Sequence, residues 1–127
     1  MEEWEDVSYR QSILEALSIL KGPWIVAVIA AMAEGKIRYK DLLDSINEAE
    51  ARAGWPGHDT PLRKRTLTDT LQRAQQADLV ERLPQGNSTF DGVEYRLTAK
   101  GKALLLALRP LASWNLEYHH GLGDRRG

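Results

Sequence analysis

Thr60-Pro61-Leu62-Arg63-Lys64-Arg65-Thr66-Leu67-Thr68-Asp69-Thr70-Leu71-Gln72-Arg73-Ala74-Gln75-Gln76-Ala77 is the stretch around which the rest of the chain is arranged. Its spacing predicts a helix. Thr60 can cap that helix, and Pro61 fits the first position, where no amide donor is needed. Leu67, Leu71, Ala74 and the Ala77–Asp78 edge recur at helical intervals and make one narrow apolar stripe. At about 100° per residue, Arg65, Asp69, Gln72 and Gln76 fall on the opposite side, with Thr66, Thr68 and Arg73 beside them. This outer face is polar, rich in donors and basic at its start. Such a face either contacts nucleic acid or is the solvated side of an ordinary amphipathic helix. The flanking segments choose between the two.

Downstream, Leu79-Val80-Glu81-Arg82-Leu83 and Val93-Glu94-Tyr95-Arg96-Leu97 alternate as strands do. Pro84 to Gly92 between them is turn chemistry, so the pair reads as a β-hairpin with a polar tip. Thr98 is placed to cap a last helix from Ala99 to about Glu117, which carries Leu104, Leu105, Leu108, Leu111, Ala112 and Leu116. Pro110 should bend it. Residues 121–127 read as a flexible polar tail.

Upstream, Trp55 to Asp59 reads as a loop. Before it, a short helix is expected from Tyr39 to about Ile46, with Leu42, Leu43 and Ile46 facing in, and Glu48 to Ala53 could extend it. Lys36-Ile37-Arg38 is a connector or a short strand. Trp24 to Ala33 is apolar nearly all round and should be a buried central helix, ended by Gly35. A first helix covers about Arg10 to Leu20. Lys21-Gly22-Pro23 breaks it, and Pro23 is suited to open the next. The order helix, helix, short helix, basic helix, hairpin, helix is that of a winged helix-turn-helix. The fold class is therefore α+β, mainly α, with a two-stranded β-hairpin wing and one domain over residues 1–127.

Composition bounds the rest. The chain has 127 residues, 43% hydrophobic and 28% charged, which suits a single globular domain with a modest core. No apolar run is long enough to cross a membrane, and the charged start Met1-Glu2-Glu3-Trp4-Glu5-Asp6 does not read as a signal peptide. There is no cysteine, so disulfides, thiolate metal sites and thiol switches are excluded, and a cytoplasmic setting is expected. A net charge of −1 argues in bulk against a nucleic-acid partner. Its distribution argues the other way. Arg63, Lys64, Arg65 and Arg73 are opposed in residues 62–73 only by Asp69, while the acids collect in residues 41–59.

In order and spacing these residues resemble the HxlR-type winged-helix regulators, a group related to the MarR regulators. The likeness covers about Gln11 to Trp114. It is carried by Ala16-Leu17-Ser18-Ile19-Leu20-Lys21-Gly22-Pro23-Trp24, Gly35-Lys36-Ile37-Arg38-Tyr39-Lys40-Asp41-Leu42, Leu67-Thr68-Asp69-Thr70-Leu71, Leu79-Val80-Glu81-Arg82 and Val93 to Gly101. The resemblance implies a homodimer joined by the first and last helices, residues 1–20 and 99–118, bound to palindromic operator DNA. Three features depart from the family pattern. Gln11 stands where many members carry a redox-sensing cysteine. Residues 49–59 look inserted. Arg63 replaces the usual small cap, consistent with a helix that starts early, at Thr60.

On this reading Arg65, Thr66, Thr68, Asp69 and Gln72 read bases. Arginine pairs with guanine and glutamine with adenine, while Asp69 accepts from cytosine or orients Arg65 or Arg73. The plain alternative for Asp69 is a weak surface ion pair. Arg63, Lys64 and Arg73 are expected on phosphates, with Tyr39 and Lys40 at the start of the third helix; for Tyr39 a core position is an equal alternative. The wing tip, Gln85, Gly86, Asn87, Ser88 and Thr89, has no cation, and Arg82 and Arg96 flank it. Trp4, Tyr9, Ile13, Leu108, Leu111, Trp114 and Leu116 are the expected dimer surface, the alternative being packing of the termini on their own domain. A small-molecule effector could sit between dimer helices near Trp24, Trp55 or Trp114, although Trp24 by itself reads as core. His119-His120 lacks partners for a metal. Neither Asp41/Asp44 nor Glu48/Glu50 has a nucleophile, phosphate loop or metal spacing around it. No cofactor, membrane partner or enzymatic activity is expected. The competing function is a winged-helix module that binds a protein or small molecule with weak DNA affinity.

Overall fold

The computed structural model describes residues 7–53, 60–84 and 92–126, with side chains as far as His119. Helix α1 spans Val7–Ile19, α2 Ile25–Ala31, α3 Tyr39–Ala53, α4 Lys64–Gln76 and α5 Ala99–Arg126. Strand β1 is Ile37–Arg38, β2 Val80–Leu83 and β3 Glu94–Leu97. The strands form one antiparallel sheet in the order β1-β3-β2. The hairpin expected from the sequence is there, with Val80 opposite Leu97 and Arg82 opposite Tyr95. The connector 37–38 adds a third strand to it, pairing Ile37 with Tyr95.

The core lies where α2, α3, α4 and the sheet meet. Ile25, Val28 and Ile29 enter from α2, and Tyr39, Leu42 and Ile46 from α3. Leu67, Leu71 and Ala74 enter from α4, and Val80, Tyr95 and Leu97 from the sheet. Each Val, Leu or Ile among them contributes about 1.5–3 kcal/mol through burial. The α4 stripe read from the sequence is thus the buried face, joined by Thr70, whose hydroxyl donates to the Thr66 carbonyl at 2.8 Å.

Several boundaries differ from the sequence reading. Helix α2 starts at Ile25, two residues after Pro23, and is not buried all round: Val26 and Ala30 face out. Seven residues make only two turns, and the neighbours cover one side of them. Helix α3 does include the extension that Glu48 to Ala53 allowed. Helix α4 begins at Lys64, not at Thr60. The reason is Asn47. Its amide nitrogen donates to the Leu62 carbonyl at 3.0 Å, and its oxygen accepts the Leu62 amide at 2.6 Å. This two-point clamp uses the Leu62 backbone outside a helix and buries its side chain. Arg63 is then the extended N-cap residue, with no side-chain cap bond. Helix α5 continues through residues 121–126, where a loose tail was expected, and contains Pro110. Extending an existing helix costs far less than starting one.

The end of α4 is a tight joint. Asp78 adopts φ 61°, the left-handed conformation an aspartate tolerates better than most residues. The Asp78 amide donates to the Gln75 carbonyl at 3.0 Å, and the Leu79 amide to the Ala74 carbonyl at 2.8 Å. This is the paired closure that ends many helices. The Thr98 amide then donates to the Leu79 carbonyl at 3.0 Å, and the Thr98 hydroxyl to the Asp78 carbonyl at 2.6 Å. The Gly101 amide donates to Thr98 Oγ1 at 3.0 Å, so Thr98 caps α5 as its position in the sequence suggests. A Cβ on Gly101 would lie 2.1 Å from the Leu79 carbonyl oxygen. Gly101→Ala should therefore destabilise the protein by about 3 kcal/mol, because backbone would have to move. Urea denaturation measures this; an unchanged midpoint would show that the joint is loose.

Candidate nucleic-acid interface

Tyr39 sets the start of α4. It is fully buried, and its hydroxyl lies 2.8 Å from the Lys64 carbonyl oxygen and 2.9 Å from Thr68 Oγ1. A carbonyl only accepts, so Tyr39 donates to Lys64 and the Thr68 hydroxyl donates to Tyr39. The Tyr39 ring sits 6.5 Å from that of Tyr95. Two expected DNA contacts are thereby corrected. Tyr39 is the core alternative, with its hydroxyl spent on α4, and Thr68 is half-buried with its proton committed to Tyr39. Both hold the helix; neither is left to hold a ligand.

The rest of the outer face is solvent-exposed. Arg63, Lys64, Arg65, Thr66, Asp69 and Gln72 are exposed. Among the described residues no ion pair joins Asp69 to Arg65 or Arg73, so the surface-pair alternative for Asp69 is not what forms. Lys40 is exposed in the first turn of α3. Donors and acceptors are thus presented on a rigid rod whose other side is core.

Strand alternation separates the two hairpin arginines. Arg82 shares a sheet face with Val80, Leu97 and Tyr95, the side on which Tyr39 and the start of α4 lie. Arg96 projects from the opposite face and pairs with Glu81 at 2.9 Å. Arg96 is therefore withdrawn from the expected phosphate set on geometric grounds, and Arg82 keeps its place. Arg73 also points elsewhere: its Nη2 donates to the Lys21 carbonyl, in the turn after α1.

The apolar surfaces divide likewise. Helix α1 buries none of its residues, and Tyr9, Ile13, Leu14 and Leu17 are exposed along it. On α5, Leu104, Leu105 and Leu108 pack against the domain's own core, which moves Leu108 out of the expected dimer surface. Beyond them Leu111, Trp114, Leu116 and Tyr118 are exposed, with the Trp114 and Tyr118 rings tilted against each other and their centroids 5.9 Å apart. Trp24 is core and Trp114 is on the exposed part of α5. Trp4, Trp55 and the wing tip Gln85–Thr89 lie outside the described residues. Asn47, which sets where α4 begins, was missed from the sequence. Its signal is a single amide following Ile46 on the inward stripe of α3.

A helix-turn-helix with a three-stranded sheet beside it, presenting one polar helix outward, now has a counterpart. The family model described as HxlR-like helix-turn-helix matches residues 58–121, from before α4 well into α5. The chain belongs to that family. This HxlR-like chain is similar to an uncharacterized HTH-type transcriptional regulator of Methanothermobacter thermautotrophicus, 27% identical over 115 residues, 89% of this chain and 76% of that protein. Among solved structures it is similar to a MarR-family transcriptional regulator from Enterococcus faecalis V583, with TM-score 0.69, 28% identity and coverage of 91% of this chain and 92% of the other. The reduced form of the transcriptional regulator YodB from B. subtilis shares the fold, with TM-score 0.65, 24% identity and coverage of 84% and 91%. The HxlR-like chain is thus a helix-turn-helix protein of the transcription-regulator class, whose members bind DNA.

The placement of Tyr39 generates a test. Tyr39→Phe should cost about 1 kcal/mol of stability through the lost hydroxyl bonds, while the DNA affinity of the folded protein stays as in the wild type. A folded variant that binds every sequence more weakly would mark Tyr39 as a phosphate contact after all.

Proposed function

We propose that this HxlR-like protein is a homodimeric DNA-binding regulator that reads a palindromic operator, with residues 1–127 acting as one domain. Two copies of α4 enter successive major grooves about 34 Å apart. Arg65, Thr66, Asp69 and Gln72 face base edges, and Arg63, Lys64, Lys40 and Arg82 hold phosphates. The hairpin acts as the wing. The observation that carries this reading is the division of α4: Leu67, Thr70, Leu71 and Ala74 are buried while the cations and amide at Arg63, Arg65 and Gln72 point outward.

Dimerisation is supported by the exposed apolar residues Ile13, Leu14 and Leu17 of α1 and Leu111, Trp114 and Leu116 of α5. Absence of cysteine supports a regulator that does not use thiol chemistry of its own, unlike a neighbour described as the redox regulator HypR in its oxidized form. DNA is the partner this geometry suits, in the compartment that holds it.

Two outcomes test the reading. Arg65→Ala should lose about 1–3 kcal/mol of discrimination at one base pair per half-site, whereas Lys64→Ala should weaken all sequences alike and lower the salt slope by about one. Binding titrations on single-base operator variants at several salt concentrations separate these. Equal loss on every sequence from both variants would remove Arg65 from base reading. Separately, Trp114→Glu with Leu111→Glu should leave a folded monomer in sedimentation, with operator affinity reduced at least about 100-fold, since one half-site cannot hold the complex alone. A dimer that survives both changes would place the interface elsewhere.

A further inference from the structure

Helix α1 is half of the proposed dimer contact, yet none of its residues is buried. Ile19, at its C-terminal end, packs on the core. Just beyond, Lys21-Gly22 turns the chain, and there Arg73 reaches across from the last turn of α4. Arg73 Nη2 donates to the Lys21 carbonyl, between residues 52 apart in sequence. Gly22 makes room for this. It sits at φ +107°, and a Cβ on it would come within 2.8 Å of Arg73 Nη1. With Ser18, Ile19, Ile25 and Gln76, Arg73 also lines the cleft between α1 and α4.

The chemistry suits a fixed strut. Carbonyls at the end of a helix lack intrahelical partners and carry the negative end of its dipole. A guanidinium is always charged and donates through a planar fork, so its bond to such a carbonyl is charge-assisted and directional. Arg73 is also badly placed for the duplex contact its charge suggests. It lies about 14 Å along the helix axis from Lys64, at the end of α4 away from Arg63 and Arg65.

We infer that Arg73 is a positioning residue that fixes α1 to the base-reading helix and thereby sets the separation of the two α4 helices on DNA. This rests on the homodimer reading above. The same end of α4 holds α5 through Asp78 and Leu79, so both dimer helices are referred to one point. When the Arg73 link is cut, α1 pivots against α4. Each half-site is then still read by the same side chains, while the distance between half-sites is less strictly enforced.

The test is selection of bound fragments from random DNA by the purified full-length protein, followed by titrations on operators whose spacer is lengthened by one base pair. Wild type should enrich an inverted repeat of one spacing. Arg73→Ala should enrich the same half-site with a broader spread of spacings, and its preference for the natural spacer should fall about fivefold, with the salt slope unchanged. Gly22→Ala, which leaves the charge of residue 73 in place but displaces the guanidinium, should do the same, and Arg73→Lys should restore part of the preference. Wild-type spacing discrimination in both Arg73→Ala and Gly22→Ala overturns the inference. So does a salt slope lowered by about one in Arg73→Ala with spacing intact, which is the signature of a phosphate contact. If the wild type itself enriches no repeat, the homodimer reading has failed instead, and the two failures are told apart.

Discussion

The peptide group of Leu79 is the point on which this architecture turns. Its amide closes α4 by donating to Ala74, and its carbonyl accepts the first amide before α5, from Thr98. Gly101 lets α5 pass so close to that carbonyl that no side chain fits between. Lys100 adds a bond from Nζ to the Ala77 carbonyl at 2.8 Å. Buried backbone groups at helix ends are costly unless paired. Here they are paired with one another, and the result is mechanical. The helix that faces outward with arginines and the helix that offers an apolar surface move as one body.

That coupling gives meaning to the uneven distribution of apolar side chains. A domain of this size has a small core, built from one face each of α2, α3 and α4 and from one side of a three-stranded sheet. Leu104, Leu105 and Leu108 spend the first turns of α5 on that core, and the apolar residues after them, Leu111, Trp114, Leu116 and Tyr118, are exposed. Helix α1 offers a matching surface. Two such surfaces on one small protein are explained most simply by a second copy. Rigid attachment of α5 to α4 then turns a dimer contact into a set distance between polar helices.

Much of this was legible in the chain itself. The stripe of Leu67, Leu71 and Ala74, the alternation of the two hairpin strands and the capping role of Thr98 are local patterns, and each appears in the structure as read. What was not legible depends on contacts between residues distant in sequence. Helix α4 starts at Lys64 because Asn47 clamps Leu62 from fifteen residues away. Local capping chemistry favours Thr60 and Pro61, and the tertiary clamp overrides it. Tyr39, Thr68, Arg73 and Arg96 all carry groups that suit DNA, and all four are engaged by the protein. Residue type alone cannot separate a free donor from a committed one, so fewer of these groups are available than the residue types suggest. Arg82 and Arg96 look equivalent in sequence, and only strand register puts them on opposite sides of the sheet.

In the proposed dimer, two copies hold their α4 helices outward at a separation matched to the duplex. Because the chain has no cysteine, a single nitroxide label can be placed on the outer face through Gln72→Cys and the distance between the two copies measured by pulsed dipolar spectroscopy. The account predicts one dominant distance near 34 Å, about a helical turn of DNA. No coupling between copies, or a distance below about 20 Å that sets the two outer faces against each other, would contradict it.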